Sequence, residues 1–312
     1  MNLISILFRF CGQLFTCFVT IGAIVTNIAI AEPLIVSVVL SENGGPYSEF
    51  AADLQDSLSN RNIKLSIQDT TQQLPQSNLV IAVGMKAALY ATQSNAPFVL
   101  SVMISKSAYQ KLIRDFPGRV NTPSFSTIYL DQPVERQLAL IAAAFPDRKN
   151  VGLLFNSPAP LEVSELRQKA SEYGLNLYEE EIKNDSMFDS LQKVLKHSDV
   201  LLALPDPAVY NSATLRNILV STYQAHIPLV GFSSAYVKAG AICAVFSSPA
   251  QFASQTSMVV LKFIETGALP PAQYPRFFEI AVNERVAHSL AIDIKNPNEL
   301  AKSMATIRKK KP

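Results

Sequence analysis

Short, almost entirely apolar runs recur along this chain and alternate with segments whose apolar residues repeat every three or four positions. Runs of this kind are typical of strands buried on both faces, as in parallel sheets covered by helices. The pattern therefore predicts an α/β fold built from parallel sheets. Ten runs predict strands: 34–40, 63–67, 78–83, 97–102, 125–130, 151–155, 175–180, 199–204, 227–232 and 241–246.

The composition supports a folded protein with extensive cores. Of 312 residues, 48% are hydrophobic and 17% are charged, which excludes a disordered tail. The formal net charge of +2 falls to near +1 without Arg9, which lies in a segment expected to be removed. Such a weak charge gives no reason to expect a nucleic-acid partner.

The N-terminal segment has the pattern of an export signal. No charge occurs from Phe10 to Ile30, and Ala29-Ile30-Ala31 supplies the small residues that signal peptidase recognises before Glu32. We expect residues 1–31 to be a cleaved signal peptide and the protein to be periplasmic. The alternative is an uncleaved membrane anchor, because roughly 20 apolar residues can also span a bilayer.

Cysteine usage agrees with export. Cys11 and Cys17 would leave with the signal peptide, so Cys243 alone would remain and no intramolecular disulfide could form. Cys243 lies in the apolar run "AICAVF", which favours a buried small hydrophobic residue over a reactive thiol.

The two halves of the chain repeat one plan. In each half a strand leads to Asn43 or Asn156, then to a turn rich in Gly, Ser or Pro, and then to a helix. A second pair of segments, beginning at residues 78 and 199, also shares the order strand, turn, helix and strand. The repetition indicates two similar doubly wound lobes.

Ligands of open parallel sheets lie beyond the carboxyl ends of the strands. Asn, Gly, Ser and Tyr are frequent in the loops expected there, with Tyr47, Tyr210 and Phe232 available to stack on a ligand. Free N–H groups of helix N-termini would favour a carboxylate on that ligand. The loops are 41–47, 84–86 and 101–105 in the first half, and 156–160, 205–211 and 232–236 in the second.

Two acidic positions have two interpretations each. Asp206, between two prolines, could cap a helix that begins at Pro207 or could face the ligand. Asp131, with Gln132, could begin the helix at Pro133 or could contact the ligand. The sequence leaves both pairs of alternatives open.

The sequence gives little support for catalysis. None of the three histidines, His197, His226 and His288, falls in a predicted strand-end loop, so a nucleophile would lack a base. Motifs for zinc proteases, serine hydrolases, dinucleotide binding and P-loops are all absent. No enzyme activity, cofactor or metal is therefore predicted.

Several ordered segments between residues 33 and 292 resemble one family. They are "YLDQPVERQLALIAAAFPDRKNVGLLF", "LALPDPAVYNSATLRNIL", "IPLVGFSSAYVKAGAICAVFSSPAQFASQ" and "PPAQYPRFFEIAVNERVAHSL". They are similar to ABC transporter substrate-binding proteins related to the tryptophan/tyrosine-type binding proteins. The resemblance implies a type I periplasmic-binding fold, closure of two lobes on a small solute, and delivery to an ABC permease in the inner membrane.

The resemblance also implies where the ligand would lie. The stretch 102–125 lacks the Gly-rich, Asp-containing loop expected there, which disfavours an amino acid as the ligand. A small molecule that carries a carboxylate or an aromatic ring remains the expected partner. The matching positions are Asn43, Gly44, Gly45, Tyr47, Gly84, Met85, Ser101, Asn156, Ser157, Asp206, Tyr210, Phe232 and Ser233.

By the same resemblance, the chain would cross between lobes at 125–132, 245–249 and 275–282. The first lobe would comprise 32–127 and 247–274, and the second 128–246 and 275–312. The expected function is solute binding for an ABC importer. The alternative is a periplasmic accessory protein that senses a ligand and signals to a membrane receptor.

Overall fold

The computed structural model describes residues 32–156, 161–182 and 187–309. The predicted signal peptide and Ser157 lie outside these residues. A compact unit begins at Leu34 and contains all the elements given below. In the part of the chain described, no helix combines the length and the apolar character that a membrane span requires.

Among the described residues, eleven strands form two sheets, and each of the ten predicted runs overlaps one of them. The first sheet comprises β1 (Leu34–Leu40), β2 (Ile63–Asp69), β3 (Leu79–Val83), β4 (Phe98–Ile104) and β5 (Phe125–Tyr129). The second comprises β6 (Asn150–Asn156), β7 (Asn176–Ile182), β8 (Val200–Leu202), β9 (Leu229–Gly231), β10 (Cys243–Phe246) and β11 (Glu279–Val282).

Helices connect these strands. Those of the first half are α1 (Gly45–Leu58), α2 (Met85–Thr92), α3 (Lys106–Asp115) and the short α4 (Pro117–Val120). Those of the second half are α5 (Val134–Ala144), α6 (Leu161–Lys169), α7 (Met187–Lys196), α8 (Leu215–Gln224) and α9 (Ser234–Ala239). The last three are α10 (Pro249–Thr266), α11 (Glu284–Ser289) and α12 (Pro297–Lys309), and a 3-10 turn (Ala170–Tyr173) follows α6.

Both sheets have the strand order of doubly wound lobes. The first is fully parallel, in the order β2-β1-β3-β4-β5. The second runs β11-β10-β9-β8-β6-β7 and is parallel except for β11. Every residue of β3 is fully buried, as expected for a central strand with helices on both faces. The predicted α/β class with two parallel-sheet lobes is confirmed.

The chain passes between the two sheets three times. It leaves β5 and enters α5, and it leaves β10 and enters α10, which packs against α1 of the first lobe. Gln273 then lies beside β5, where its N–H donates to the Thr127 carbonyl and its own carbonyl accepts from the Tyr129 N–H, both at 2.9 Å. The next strand, β11, joins the second sheet. The exact lobe boundaries stay a prediction.

The long helix α10 shows why the second crossing is well defined. Ser248 and Gln251 form a capping box at its start, and Gly267 ends it in the left-handed conformation. Its buried face includes Phe252 and Phe263, and Phe263 packs edge-on against Phe98 with ring centroids 4.8 Å apart. The sequence that follows a strand of the second lobe thus covers the first lobe.

The helix predicted to begin at Pro207 is absent, because α8 begins only at Leu215. Asp206 Oδ1 instead accepts from the Ala208 N–H at 2.9 Å, and Asn211 Oδ1 accepts from the Ala213 N–H at 2.9 Å. Side chains that bind the backbone two residues ahead favour turns over helix. Asp206 therefore shapes a turn and does not cap the helix that follows.

Cys243 lies where the sequence predicts, fully buried in β10. Burial raises the pKa of its thiol to about 12. A thiol in this environment stays protonated and behaves as a small apolar side chain.

Candidate ligand-binding cleft

A small pocket lies at the carboxyl edge of the second sheet, beside the first crossing between the lobes. Its apolar wall comes from the ends of β8, β9 and β10, including Leu202, Val230 and Val245. Its polar wall comes from the crossing and the start of α5. We call this the cleft pocket. Its polar residues are Asp131, Gln132 and Gln137.

Asp131 links the two lobes at the edge of the cleft pocket. Its side chain is 3% exposed, and Oδ2 accepts a hydrogen bond of 2.6 Å from the backbone N–H of Lys106, the first residue of α3. Burial, reinforced by the nearby charge of Glu162, raises the pKa of the Asp131 carboxyl to about 7. The structure thus assigns Asp131 to the start of a first-lobe helix.

The interpretation that Asp131 and Gln132 begin the helix at Pro133 is wrong. Pro133 occupies the N-cap of α5, with no side chain bound to the helix N–H groups. Gln132 instead donates from Nε2 to Ser247 Oγ at 3.0 Å, and its Oε1 accepts from Arg136. Its amide therefore ties the first crossing to the second.

Aromatic side chains of the second lobe form one group beside the cleft pocket. The Phe232 ring lines the pocket and lies 4.3 Å from the Tyr236 ring, centroid to centroid. Tyr210 is buried in the same cluster, and its hydroxyl donates to the Leu202 carbonyl at 3.4 Å. Of the two aromatic residues predicted for this lobe, Phe232 faces the pocket while Tyr210 packs in the core.

In the first lobe the structure brings together the predicted loop residues Gly44, Gly45, Tyr47, Gly84 and Met85. Gly84 has φ 82°, and a Cβ there would lie 2.8 Å from the Tyr47 ring. Only glycine allows this close approach. The loop after β1 and the turn after β3 therefore form one surface at the carboxyl edge of the first sheet.

Ser101 differs from its predicted position. The predicted strand stopped at 102, but β4 continues to Ile104, so Ser101 lies inside the sheet. Its hydroxyl is fully buried and donates to the Ser126 carbonyl of β5 at 3.2 Å. Ser101 thus contributes to sheet pairing and not to the strand-end surface.

The other predicted site residues occupy strand ends or turns. Asn43 donates from Nδ2 to Asp69 Oδ2 at 2.7 Å on the exposed side of β2. Asn156 ends β6 and is exposed. Asp206 is engaged with Ala208 as described above, and Ser233 caps α9 by accepting from the Tyr236 N–H at 3.4 Å.

Contacts between the lobes run through residues that the sequence did not single out. Lys106, at the start of α3, forms an ion pair with Glu165 of α6, and its Nζ donates to the Tyr274 hydroxyl at 3.0 Å. Burial acts to lower the pKa of Lys106, but the hydrogen bonds to Glu165 and Tyr274 outweigh it and raise the pKa. Lys106 therefore stays charged, and its side chain connects the two lobes.

Glu162, one turn before Glu165, is a buried acid. It is 2% exposed, and neither carboxylate oxygen has a hydrogen-bond partner among the described residues. Burial raises the pKa of Glu162. We call Lys106, Asp131, Glu162, Glu165 and Tyr274 the interlobe cluster. These residues are far apart in the sequence and have no shared motif, so only the fold reveals the group.

Met103 marks strain at the end of β4. It has φ 60°, which is rare for a residue with a side chain, at a bulge where the pairing with β5 shifts between Val102 and Ile104. The bulge leaves the Ile104 carbonyl to accept from the Leu130 N–H at 2.8 Å. It thereby carries the chain from β4 towards the interlobe cluster.

Solved structures with the same fold support this description of the two lobes. A substrate-binding protein with adhesive properties from Clostridium difficile, in its ligand-free, open form, has a TM-score of 0.65 at 17% identity over 85% of this chain and 97% of that one. A domain from Streptococcus pneumonia in complex with L-Trp has a TM-score of 0.63 at 16% identity, over 87% and 98%. A conserved domain protein from Vibrio cholerae gives 0.61 at 20%, over 86% and 97%.

These similarities define a protein with the type I periplasmic-binding fold. The ABC transporter substrate binding protein family matches residues 48–306, and the chain belongs to that family. No curated protein sequence matches it.

Proposed function

We propose that this protein is the solute-binding component of an ABC importer. It would capture a small molecule between its two lobes and deliver it to a permease in the membrane. The observation that carries this proposal is the cleft pocket. It lies at the carboxyl edge of a parallel sheet, beside a crossing strand, in a member of a substrate-binding family.

The three crossings support a hinge mechanism. Lobes joined by a few extended segments rotate as rigid bodies and close around a ligand. The ion pair between Lys106 and Glu165 joins α3 to α6 across the lobes, so it favours the arrangement in which the lobes are in contact. A ligand that contacts both lobes would favour the same arrangement and could thus be retained for delivery.

The predicted site residues fit this proposal unequally. Gly44, Gly45, Tyr47 and Gly84 would supply the first-lobe wall, and Phe232 the second-lobe wall. Asp131, for which the sequence left helix start and ligand contact open, and Gln137, which the sequence did not single out, would add polar contacts. Ser101 and Tyr210 support the walls from within the sheet and the core.

Location follows from the same proposal. An importer's binding protein works outside the cytoplasmic membrane, which agrees with a cleaved signal at residues 1–31 and a periplasmic mature protein. The alternative of an N-terminal anchor would keep the same lobes on the same side of the membrane. The permease would then meet an anchored protein instead of a diffusing one.

Native mass spectrometry of the gently purified protein tests the proposal. We expect a retained small molecule, or else a ligand-dependent rise in melting temperature with fractions of a metabolite extract. L-Trp belongs in the first screen because the related pneumococcal structure contains it. Absence of both retained solute and any thermal shift would contradict solute binding. Cross-linking to a receptor and not to a permease would favour sensing.

A further inference from the structure

The polar side chains of the cleft pocket offer a ligand hydrogen-bond acceptors. Gln137, 6% exposed, lines the pocket and donates from Nε2 to the Gln132 carbonyl at 3.1 Å. That carbonyl accepts only, so it fixes the amide with Nε2 towards it. The opposite atom, Oε1, has no hydrogen-bond partner among the described residues. A buried acceptor left in this way is costly unless an ordered water or a ligand supplies a donor.

Asp131 places a second acceptor in the same pocket. Its carboxyl group accepts from the backbone N–H of Lys106 and from its own backbone N–H, whereas an ionised carboxylate can accept about four hydrogen bonds. The side chain is 3% exposed, so water from outside has little access to it. Both polar side chains can therefore receive hydrogen bonds from a ligand, and Asp131 can also balance a positive charge.

The charges around Asp131 also favour a positively charged ligand. Glu162 and Glu165 lie in the interlobe cluster with it, and Glu162 has no donor among the described residues. The nearby cation, Lys106, is paired with Glu165 and hydrogen bonded to Tyr274. Three carboxyl groups thus face one ammonium group. Asp131 and Glu162 are the buried two of the three, and an added positive charge would stabilise their ionised forms while an added negative charge would destabilise them.

A second cation near the pocket is already occupied. Arg136 donates to Gln132 Oε1 and to the Pro275 carbonyl, and its guanidinium lies 4.2 Å from the centroid of the Phe278 ring. These contacts direct it to the crossing strands. Arg136 is therefore directed away from pairing with a carboxylate on the ligand. The sequence had suggested such a carboxylate, because free N–H groups of helix N-termini would favour it.

We propose that the solute carries a positively charged nitrogen, which binds between Asp131 and Gln137, and an apolar body that packs against Phe232. The ammonium N–H groups would donate to Asp131 and to Gln137 Oε1. With the lobes further apart than in this structure, where the cleft pocket has room for about one water molecule, the apolar body would lie on Leu202, Val230 and Val245 at the strand ends. This inference rests on the proposed solute-binding function and names the class of its ligand.

Matched probes test the charge. The protein, freed of retained solute by unfolding and refolding, is mixed with amines, alcohols and carboxylic acids that share propyl, isobutyl or phenylethyl bodies. We expect at least one amine to raise the melting temperature and to bind in calorimetry, while the alcohol and the acid with the same body do not. Equal or stronger binding of an acid or an alcohol, or no binding by any amine, would overturn the proposal.

Variants assign the contact to the pocket. Gln137→Leu and Asp131→Asn are expected to weaken binding of the best amine at least tenfold. Asp131→Asn keeps an oxygen for the Lys106 N–H, and Asp56→Asn, on the exposed face of α1, controls for loss of one negative charge. Unchanged amine affinity in both Gln137→Leu and Asp131→Asn would overturn the assignment.

The native solute separates this inference from the function on which it rests. A retained molecule that is neutral or anionic would refute the positive charge and leave solute binding intact. A protein that retains nothing, and that no fraction of a metabolite extract stabilises, would refute solute binding itself. A retained cation whose affinity falls in Asp131→Asn would support both.

Discussion

Lys106 of the first lobe and Glu165 of the second form an ion pair, and the Tyr274 hydroxyl bonds to both of them, accepting from Lys106 Nζ and donating to Glu165 Oε2 at 3.4 Å. The Lys106 side chain is only 12% exposed. Because α3, α6 and the third crossing each supply one of these residues, the contact couples the relative position of the lobes to the crossing.

Lys106→Met is expected to shift the protein towards a more open arrangement. A partly exposed ion pair is worth about 1 kcal/mol at most, which changes a population ratio about fivefold. Small-angle scattering should report a larger radius of gyration for the ligand-free variant, and ligand affinity should fall. Lys262→Met, which removes an exposed pair with Glu265 within α10, is the control and should change neither. Identical scattering curves for wild type and Lys106→Met would contradict the role of this pair in closure.

Stability is expected to fall as pH rises from about 4 to about 7. Burial holds the pKa of Asp131 near 7, far above its unfolded value, so the native state keeps a proton that the unfolded state has lost. Asp131→Asn should remove most of this dependence and raise the free energy of unfolding at pH 8 by on the order of 2 kcal/mol. Urea unfolding at several pH values measures it. Parallel pH profiles for the two proteins would contradict it.

Glu162→Gln tests the charge that acts on Asp131. Removal of a neighbouring negative charge lowers the pKa of Asp131, so the fall in stability should shift to lower pH. Two-dimensional NMR of a protein with labelled aspartate carboxyls can follow this titration directly. A titration midpoint that stays in place would show that burial alone sets the pKa.

Gly84→Ala is expected to destabilise the first lobe by about 2–4 kcal/mol. The residue has φ 82°, and the new Cβ would lie 2.6 Å from Ser41 Oγ and 2.8 Å from the Tyr47 ring. Thermal unfolding measures the loss. Gly118→Ala is a matched control, since its Cβ meets no atom within 4 Å. Equal losses from both substitutions would contradict the close packing of Tyr47 on Gly84.

Asp206→Ala separates turn formation from ligand contact. Loss of the bond from the Ala208 N–H should cost about 1 kcal/mol of stability. Unchanged ligand affinity would assign Asp206 to the turn alone, whereas a tenfold loss would assign it to the ligand as well. Asp206→Asn, which keeps the acceptor oxygen, should restore stability. Melting temperature and calorimetric binding of the same preparations give both readings.

The fold was largely predictable because its strands are local patterns. Each predicted run overlaps a strand, and the repetition of strand, turn and helix predicts two lobes. The prediction of a helix from Pro207 was wrong, because the side chains of Asp206 and Asn211 accept from backbone N–H groups two residues ahead and favour turns. Helix propensity and turn propensity compete over a few residues there, and the sequence pattern does not decide between them.

The candidate site was predictable only at its loops. Gly84 beside Tyr47, and Phe232 at the end of β9, lie at strand ends, where the rule for parallel sheets places them. Tyr210 has the same sequence context but turns inward, because its ring fills space beside Tyr236 in the core. The direction of a side chain at a strand end depends on packing from elements distant in sequence.

The sequence alone determined the class of fold, since the period of apolar residues records which faces are buried, and it determined the loops at the strand ends. Only the tertiary structure decided the polarity of the cleft. Asp131 looks like a helix start, yet it is buried against Lys106 and near Glu162, which are 25 residues before it and 31 after it. Burial and neighbouring charge set the ionisation of a carboxyl, and both arise only when the two lobes pack together.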